Sequence, residues 1–229
     1  MARRVDVNHL NPFWLHYLSL EKSLIEIGDY IAITNANANS YSLKIMQLYF
    51  AVCTETESVF EQIYKNVNNA KSEKSSIYRN MEMLTSFFPN IRECIVNLNM
   101  TGEALSFKPF DTMFHNHAAN KEEKTTKKTV ERKKSWWRQY NAVKHERLEN
   151  FDQANLGNLL EALAALHILN IIYAVSLDNE CAEHYDVAFV LIQSEYQPPI
   201  FGIKNSELLQ MTSGKRHYIC NLKHKPIDF

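Results

Sequence analysis

LLEALAALHILNIIYAVSL, residues 159–177, is apolar for almost its whole length and decides the fold. A run of this kind is either a membrane span or a helix covered on all sides by other helices. Glu161, His167 and Asn170 interrupt it, and it lacks the net positive flank expected beside a span. A charged group in the bilayer core costs roughly 2.5–3.5 kcal/mol on insertion scales. The stretch is therefore predicted to be the buried central helix of a bundle, capped by Asp152 and running to about Leu177.

The chain on either side supplies the helices that would cover it. Asn11-Pro12 opens a first helix, proline sitting near the start where its missing N–H does no harm. Phe13, Tyr17, Leu20, Leu24, Ile27 and Ile31 recur at helical spacing. Residues 35–40, NANANS, read as a polar connector, and Ser40 as the cap of a second helix to about Asn68. That helix carries the apolar stripe Leu43, Met46, Phe50, Cys53 and Phe60, with Glu55, Glu57 and Glu61 expected on its wetter faces. A third helix is predicted over Ser75–Phe88, stopped by Pro89, and a short fourth over Ile91–Leu98. Gly102–Met113 reads as irregular, and Lys121–Lys134 as a basic loop leading into the next helix. Beyond Asp178 a short helix is expected before Pro198-Pro199, then strand-like character around Tyr218–Leu222.

The composition agrees with a helical bundle. The chain has 229 residues, 45% of them apolar, enough for a sizeable core. Only 5 glycines and 6 prolines are present, too few for the many tight turns of a sandwich or barrel. Net charge is −1, so any attraction for nucleic acid must come from a local patch. The cysteines, Cys53, Cys94, Cys181 and Cys220, form no CxxC pair, and Met1–Asn8 lacks an apolar leader segment. Reduced thiols in a cytoplasm are expected. The division expected is residues 1–178 as the helical domain and 179–229 as an extension packing on it.

One further stretch carries the chemistry: WWRQYNAVKHER, residues 136–147. On a helix, at about 100° per residue, Trp136, Tyr140 and Val143 share one side. Arg138, Asn141 and His145 share another, and Lys134 extends that polar stripe one turn earlier. A polar stripe on an amphipathic helix is ordinarily its solvated face. Arg, Asn and His together are, however, the groups that handle a phosphodiester.

With residues 139–144 between its arginine and its histidine, this stretch resembles the signature of HEPN-domain proteins. Asn141 matches the polar residue commonly found four positions before that histidine, and the frame W-W-x-x-Y-N-x-x-K-H is similar to a bacterial group within the superfamily. Ser40–Lys65 resembles the family's early long helix, Phe107-Lys108-Pro109-Phe110 its loop before the motif, and Phe151–Leu177 its long apolar helix. The resemblance covers roughly residues 10–178. It implies an all-α, HEPN-like bundle, here followed by a small irregular or β-like C-terminal extension. It also implies metal-independent cleavage of RNA, a homodimer, and a toxin–antitoxin or antiviral-defence setting with an antitoxin or regulatory protein as a further partner. The roles that follow are His145 as general acid/base, Arg138 as phosphate stabiliser and Asn141 as orienter, with Lys134, Lys144 and Arg147 holding flanking RNA. A non-catalytic HEPN module that binds RNA, nucleotide or a protein is the alternative, and a purely structural dimer is a third reading.

Competing signals are weaker. Phe114-His115-Asn116-His117 spells HNH in contiguous form, whereas the nuclease motif of that name has its members far apart. His217, Cys220 and His224 have only loose ligand spacing. No metal and no cofactor is expected, and glycine-rich phosphate loops and GxSxG are missing from the sequence.

Overall fold

In the computed structural model, the described residues are 12–68, 76–98, 100, 105–111, 113, 135–176, 201–203, 210–213 and 216–219. They form a mostly helical protein with two small sheets. Helix α1 is Pro12–Gly28, α2 Leu43–Asn68, α3 Ile77–Phe87, α4 Trp136–His145, α5 Arg147–Asn150 and α6 Leu156–Ser176.

The apolar run of the sequence is α6, and it lies at the centre, against α2, α1 and α4. Residues Leu156–Tyr173 are long and apolar enough to cross a membrane, but 83% of that stretch is buried inside the protein. Two of its polar interruptions are bonded internally, although Asn170 Oδ1 is buried without a partner among the described residues. Asn170 donates to the Leu166 carbonyl at 3.0 Å, and His167 Nδ1 lies 3.0 Å from the Tyr17 hydroxyl. Tyr17 in turn donates to Glu21, one turn along α1. Burial, and then the Glu21 carboxylate, push the Tyr17 phenol well above its usual pKa, so at neutral pH it keeps the proton it donates.

The helix starts differ from those expected. The hydroxyl at the head of α2 is that of Ser42, accepting from Ile45 N at 3.2 Å, not that of Ser40. The carbonyls of Ala38 and Ser40 accept from Gly157 N and Leu156 N at 2.8 and 2.9 Å, so the polar connector covers the amino end of α6 instead. Gly157 suits this close approach, because a Cβ would stand a tight 3.2 Å from the Ala38 carbonyl oxygen. Asn155, not Asp152, caps α6, its Oδ1 accepting from Asn158 N at 3.0 Å; Asp152 belongs to the 3-10 turn Phe151–Gln153 before it.

Two segments read as helical or irregular are strands. Ile91–Glu93 is a single 3-10 turn, after which Val96–Leu98 is β1. Leu105–Phe107 is β2 and Phe201–Ile203 is β3; both pair antiparallel with β1, Leu98 facing Leu105 on one side and Phe201 on the other. Residues 201–203, in the part expected to pack on the bundle as an extension, thus pair with a strand of the helical unit. Phe201 is buried, and its amide faces Glu21 Oε1 at 3.4 Å. Gln210–Ser213 (β4) and Arg216–Ile219 (β5) form a hairpin, as the strand-like character of the tail suggested. The helix expected after Asp178 and the basic loop 121–134 lie outside the described residues.

Candidate functional site

Helix α4 is short and firmly held. Ser135 caps it, Oγ accepting from Arg138 N at 3.3 Å. Trp136 is wholly buried; its indole N–H donates to the Pro109 carbonyl at 2.9 Å, and its own carbonyl accepts from the Tyr49 hydroxyl. The loop before the motif and helix α2 therefore both fasten the first turn of α4. Tyr140 packs edge-on against Phe50 and Tyr49, with ring centroids 5.4 and 6.1 Å apart, and Val143 is buried below it. The aromatic packing face expected from spacing is present. Trp137 and Gln139 are buried as well.

The polar stripe lies on the opposite side. Arg138 and His145 are exposed and Asn141 is half-buried. Among the described residues neither the Arg138 guanidinium nor the His145 imidazole has a hydrogen-bond or ion-pair partner. Asn141 is turned back on its own helix, its Nδ2 donating to the Trp137 carbonyl at 2.9 Å, which leaves its carbonyl oxygen as the group able to accept from a ligand. Arg138 and His145 occupy the two ends of α4, about 10.5 Å apart along the axis for seven residues of α-helix. One phosphate cannot readily span that separation within a single chain.

The flanking cations are partly engaged. Lys144 Nζ lies 5.3 Å from the Tyr140 ring centroid, and Arg147 Cζ lies 5.6 Å from that of Phe50. Both remain exposed. Lys144 is also within electrostatic reach of Cys53 on α2. Burial, and then Glu57, raise the Cys53 thiol well above its usual pKa despite Lys144, so Cys53 is an inert core thiol. Lys134 lies outside the described residues. The helix stops at His145, short of the end of the WWRQYNAVKHER stretch. Glu146, at φ −133° and ψ 58°, turns the chain into the four-residue α5. His145 therefore stands at an exposed helix end rather than in mid-helix.

Glu55 corrects another expectation. It is buried, not on a wet face, and its Oε2 lies 2.9 Å from His16 Nδ1 on α1. No group of three or more metal-ligating side chains occurs among the described residues; His115, His117, Cys220 and His224 fall outside them. No protein-family model, curated protein or solved structure matches the chain.

Proposed function

We propose that this chain is a HEPN-type, metal-independent endoribonuclease, acting in the cytoplasm as a toxin or antiviral-defence effector under the control of an antitoxin or regulatory protein. The observation that carries the reading is the pairing on α4 of a rigidly anchored aromatic face with a polar stripe of exposed Arg138, half-buried Asn141 and exposed His145. RNA places a 2′-hydroxyl beside each phosphate. His145 removes that proton, the 2′-oxygen attacks phosphorus, and the bond to the 5′-oxygen breaks. The imidazolium supplies the proton that the departing 5′-oxygen takes, leaving a 2′,3′-cyclic phosphate and a 5′-hydroxyl. Arg138 stabilises the charge gathered on the phosphoryl oxygens through its planar fork. The Asn141 carbonyl orients the imidazole or the attacking hydroxyl, and Lys134, Lys144 and Arg147 hold flanking phosphates.

The purified chain is expected to cleave single-stranded RNA in EDTA, to leave 2′,3′-cyclic ends and to spare DNA of the same sequence. Cleavage of DNA, or a strict need for added metal, would reject this chemistry. The separation of Arg138 from His145 calls for two copies of α4 facing one another, arginine from one and histidine from the other. Equal amounts of Arg138→Ala and His145→Ala chains, each inactive alone, should then recover about a quarter of wild-type activity after exchange of subunits, because half the dimers are mixed and each holds one intact site. No recovery despite exchange would place both groups in one chain's site.

The turned-back amide of Asn141 favours one other reading, a non-catalytic HEPN module that holds RNA, nucleotide or a protein partner along the same stripe. Binding of RNA without any cleavage by wild type distinguishes it.

A further inference from the structure

Three parts of the chain that lie far apart in sequence meet at one buried carboxylate. Glu21 on α1, His167 on α6 and Phe201 on β3 are all buried. The Tyr17 hydroxyl donates its one proton to Glu21 Oε1. It can then only accept at its 3.0 Å contact with His167, so the proton in that contact sits on His167 Nδ1. The Phe201 amide donates to the same Glu21 oxygen at 3.4 Å. One line of donors therefore runs from α6 through Tyr17 to Glu21, and a second reaches Glu21 from β3. A carboxylate taken out of water is costly unless donors reach it, which ties the place of β3 to that of Glu21.

Phe201 also reaches toward the motif helix. Its ring lies 6.5 Å from that of His167 and 6.4 Å from that of Phe107 on β2. Phe107 stands two residues before Pro109, whose carbonyl takes the Trp136 indole N–H at the first turn of α4. Every step from Glu21 to α4 is thus a contact or a short piece of chain. The step able to come away is β3. It is three residues long and, in the order β2-β1-β3, pairs on one side only among the described strands. A short edge segment opens at a smaller free energy than the helices of a core. Opening also gives the Glu21 carboxylate access to water, which offsets part of what docking gains.

We infer that Phe201–Ile203 is a strap latched by Glu21, and that its docking on β1 holds the turn at Pro109 where it fastens α4. The strap is a conformational device that couples a distant part of the chain to the motif helix. Hydrogen–deuterium exchange of the full chain, read by mass spectrometry, tests it whether or not the chain cuts RNA. Glu21→Ala removes the acceptor. Exchange should then rise by at least about tenfold at residues 201–203, and with it at 105–111 and 136–145, while the centre of α2 over residues 52–60 keeps its protection. Phe201→Ala leaves α1 and its carboxylate untouched and should give the same pattern, so the test survives if Glu21→Ala fails to fold. Glu21→Gln, which keeps an oxygen facing the Phe201 amide, should stay close to wild type. A rise confined to residues 201–203 in both alanine variants would make the strand a passenger and overturn the coupling. A rise of equal size in α2 would make β3 ordinary core rather than a strap. Unchanged protection of residues 201–203 in Glu21→Ala, or a Glu21→Gln chain as loose as Glu21→Ala, would remove Glu21 as the latch.

Discussion

Replacing His145 with alanine should lower RNA cleavage by about 10²–10⁴-fold, the range spanned by loss of a positioned general acid/base. The fold should scarcely notice. The imidazole is exposed at the last residue of α4 and makes no hydrogen bond among the described residues, so stability should change by no more than about 0.5 kcal/mol. Rates on a defined RNA, measured beside thermal melting of the same preparations, provide the check. A binding module would show no cleavage to lose and only a modest change in affinity. A structural dimer would show a shift in melting or dissociation instead. Arg138→Lys is the informative companion. It keeps the charge but removes the fork that grips two phosphoryl oxygens. Cleavage that is reduced but not abolished would match a charge-stabilising role, and an Arg138→Lys chain indistinguishable from wild type would remove Arg138 from the mechanism.

How much of this was legible follows from the range of each interaction. Periodicity over many turns placed α1, α2, α3 and α6 within a few residues of where they lie, because an apolar stripe repeats its own evidence. The division of residues 136–145 into an aromatic face and an exposed polar side was read from spacing alone, and Tyr140, Val143 and His145 lie on the sides assigned to them. What failed depended on partners distant in sequence. Val96 and Leu98 are buried and Asn97 half-buried, a strand's alternation, but three residues are too few to separate a period of 2 from one of 3.6. The strand that completes β1 comes from residues 201–203, far beyond any local signal. Glu55 was placed in water because it stands near Glu57 and Glu61; His16, on another helix, explains its burial. The break at Glu146 carries no glycine or proline to announce it. It is compatible with the bundle because it lets Arg147 reach Phe50 and Phe151 reach Tyr41. At the site, residue types and their side of the helix were legible. The 3.0 Å-scale detail, such as Asn141 folding back on Trp137, required the structure.

The same division between local pattern and distant partner makes Trp136 the most consequential packing residue of the motif. By sequence it is one aromatic of a pair; in the fold it joins three elements. Its ring is fully buried and edge-on to Trp137 at 5.6 Å, its indole N–H satisfies the Pro109 carbonyl, and its carbonyl takes the Tyr49 hydroxyl. Trp136→Ala removes a buried indole and leaves a cavity, for a loss of about 3–5 kcal/mol. Stripping the Pro109 carbonyl of its donor adds about 1–3 kcal/mol if water does not reach it. Against a typical total of about 5–15 kcal/mol, that is a large share. The melting temperature should fall by roughly 10 °C or more, at about 2–4 °C per kcal/mol for a chain of this size. Trp136→Phe keeps one six-membered ring but loses the N–H and the rest of the five-membered ring, so its cost should lie between the carbonyl's share and the full loss. Denaturant titrations of both variants separate the two contributions. Equal losses in the two would mean that the hydrogen bond to Pro109, not the filled volume, fastens α4. Because this residue fixes the turn that presents Arg138, Trp136→Phe should also lower RNA cleavage more than it lowers stability, whereas an equal fall in both would reduce Trp136 to packing alone.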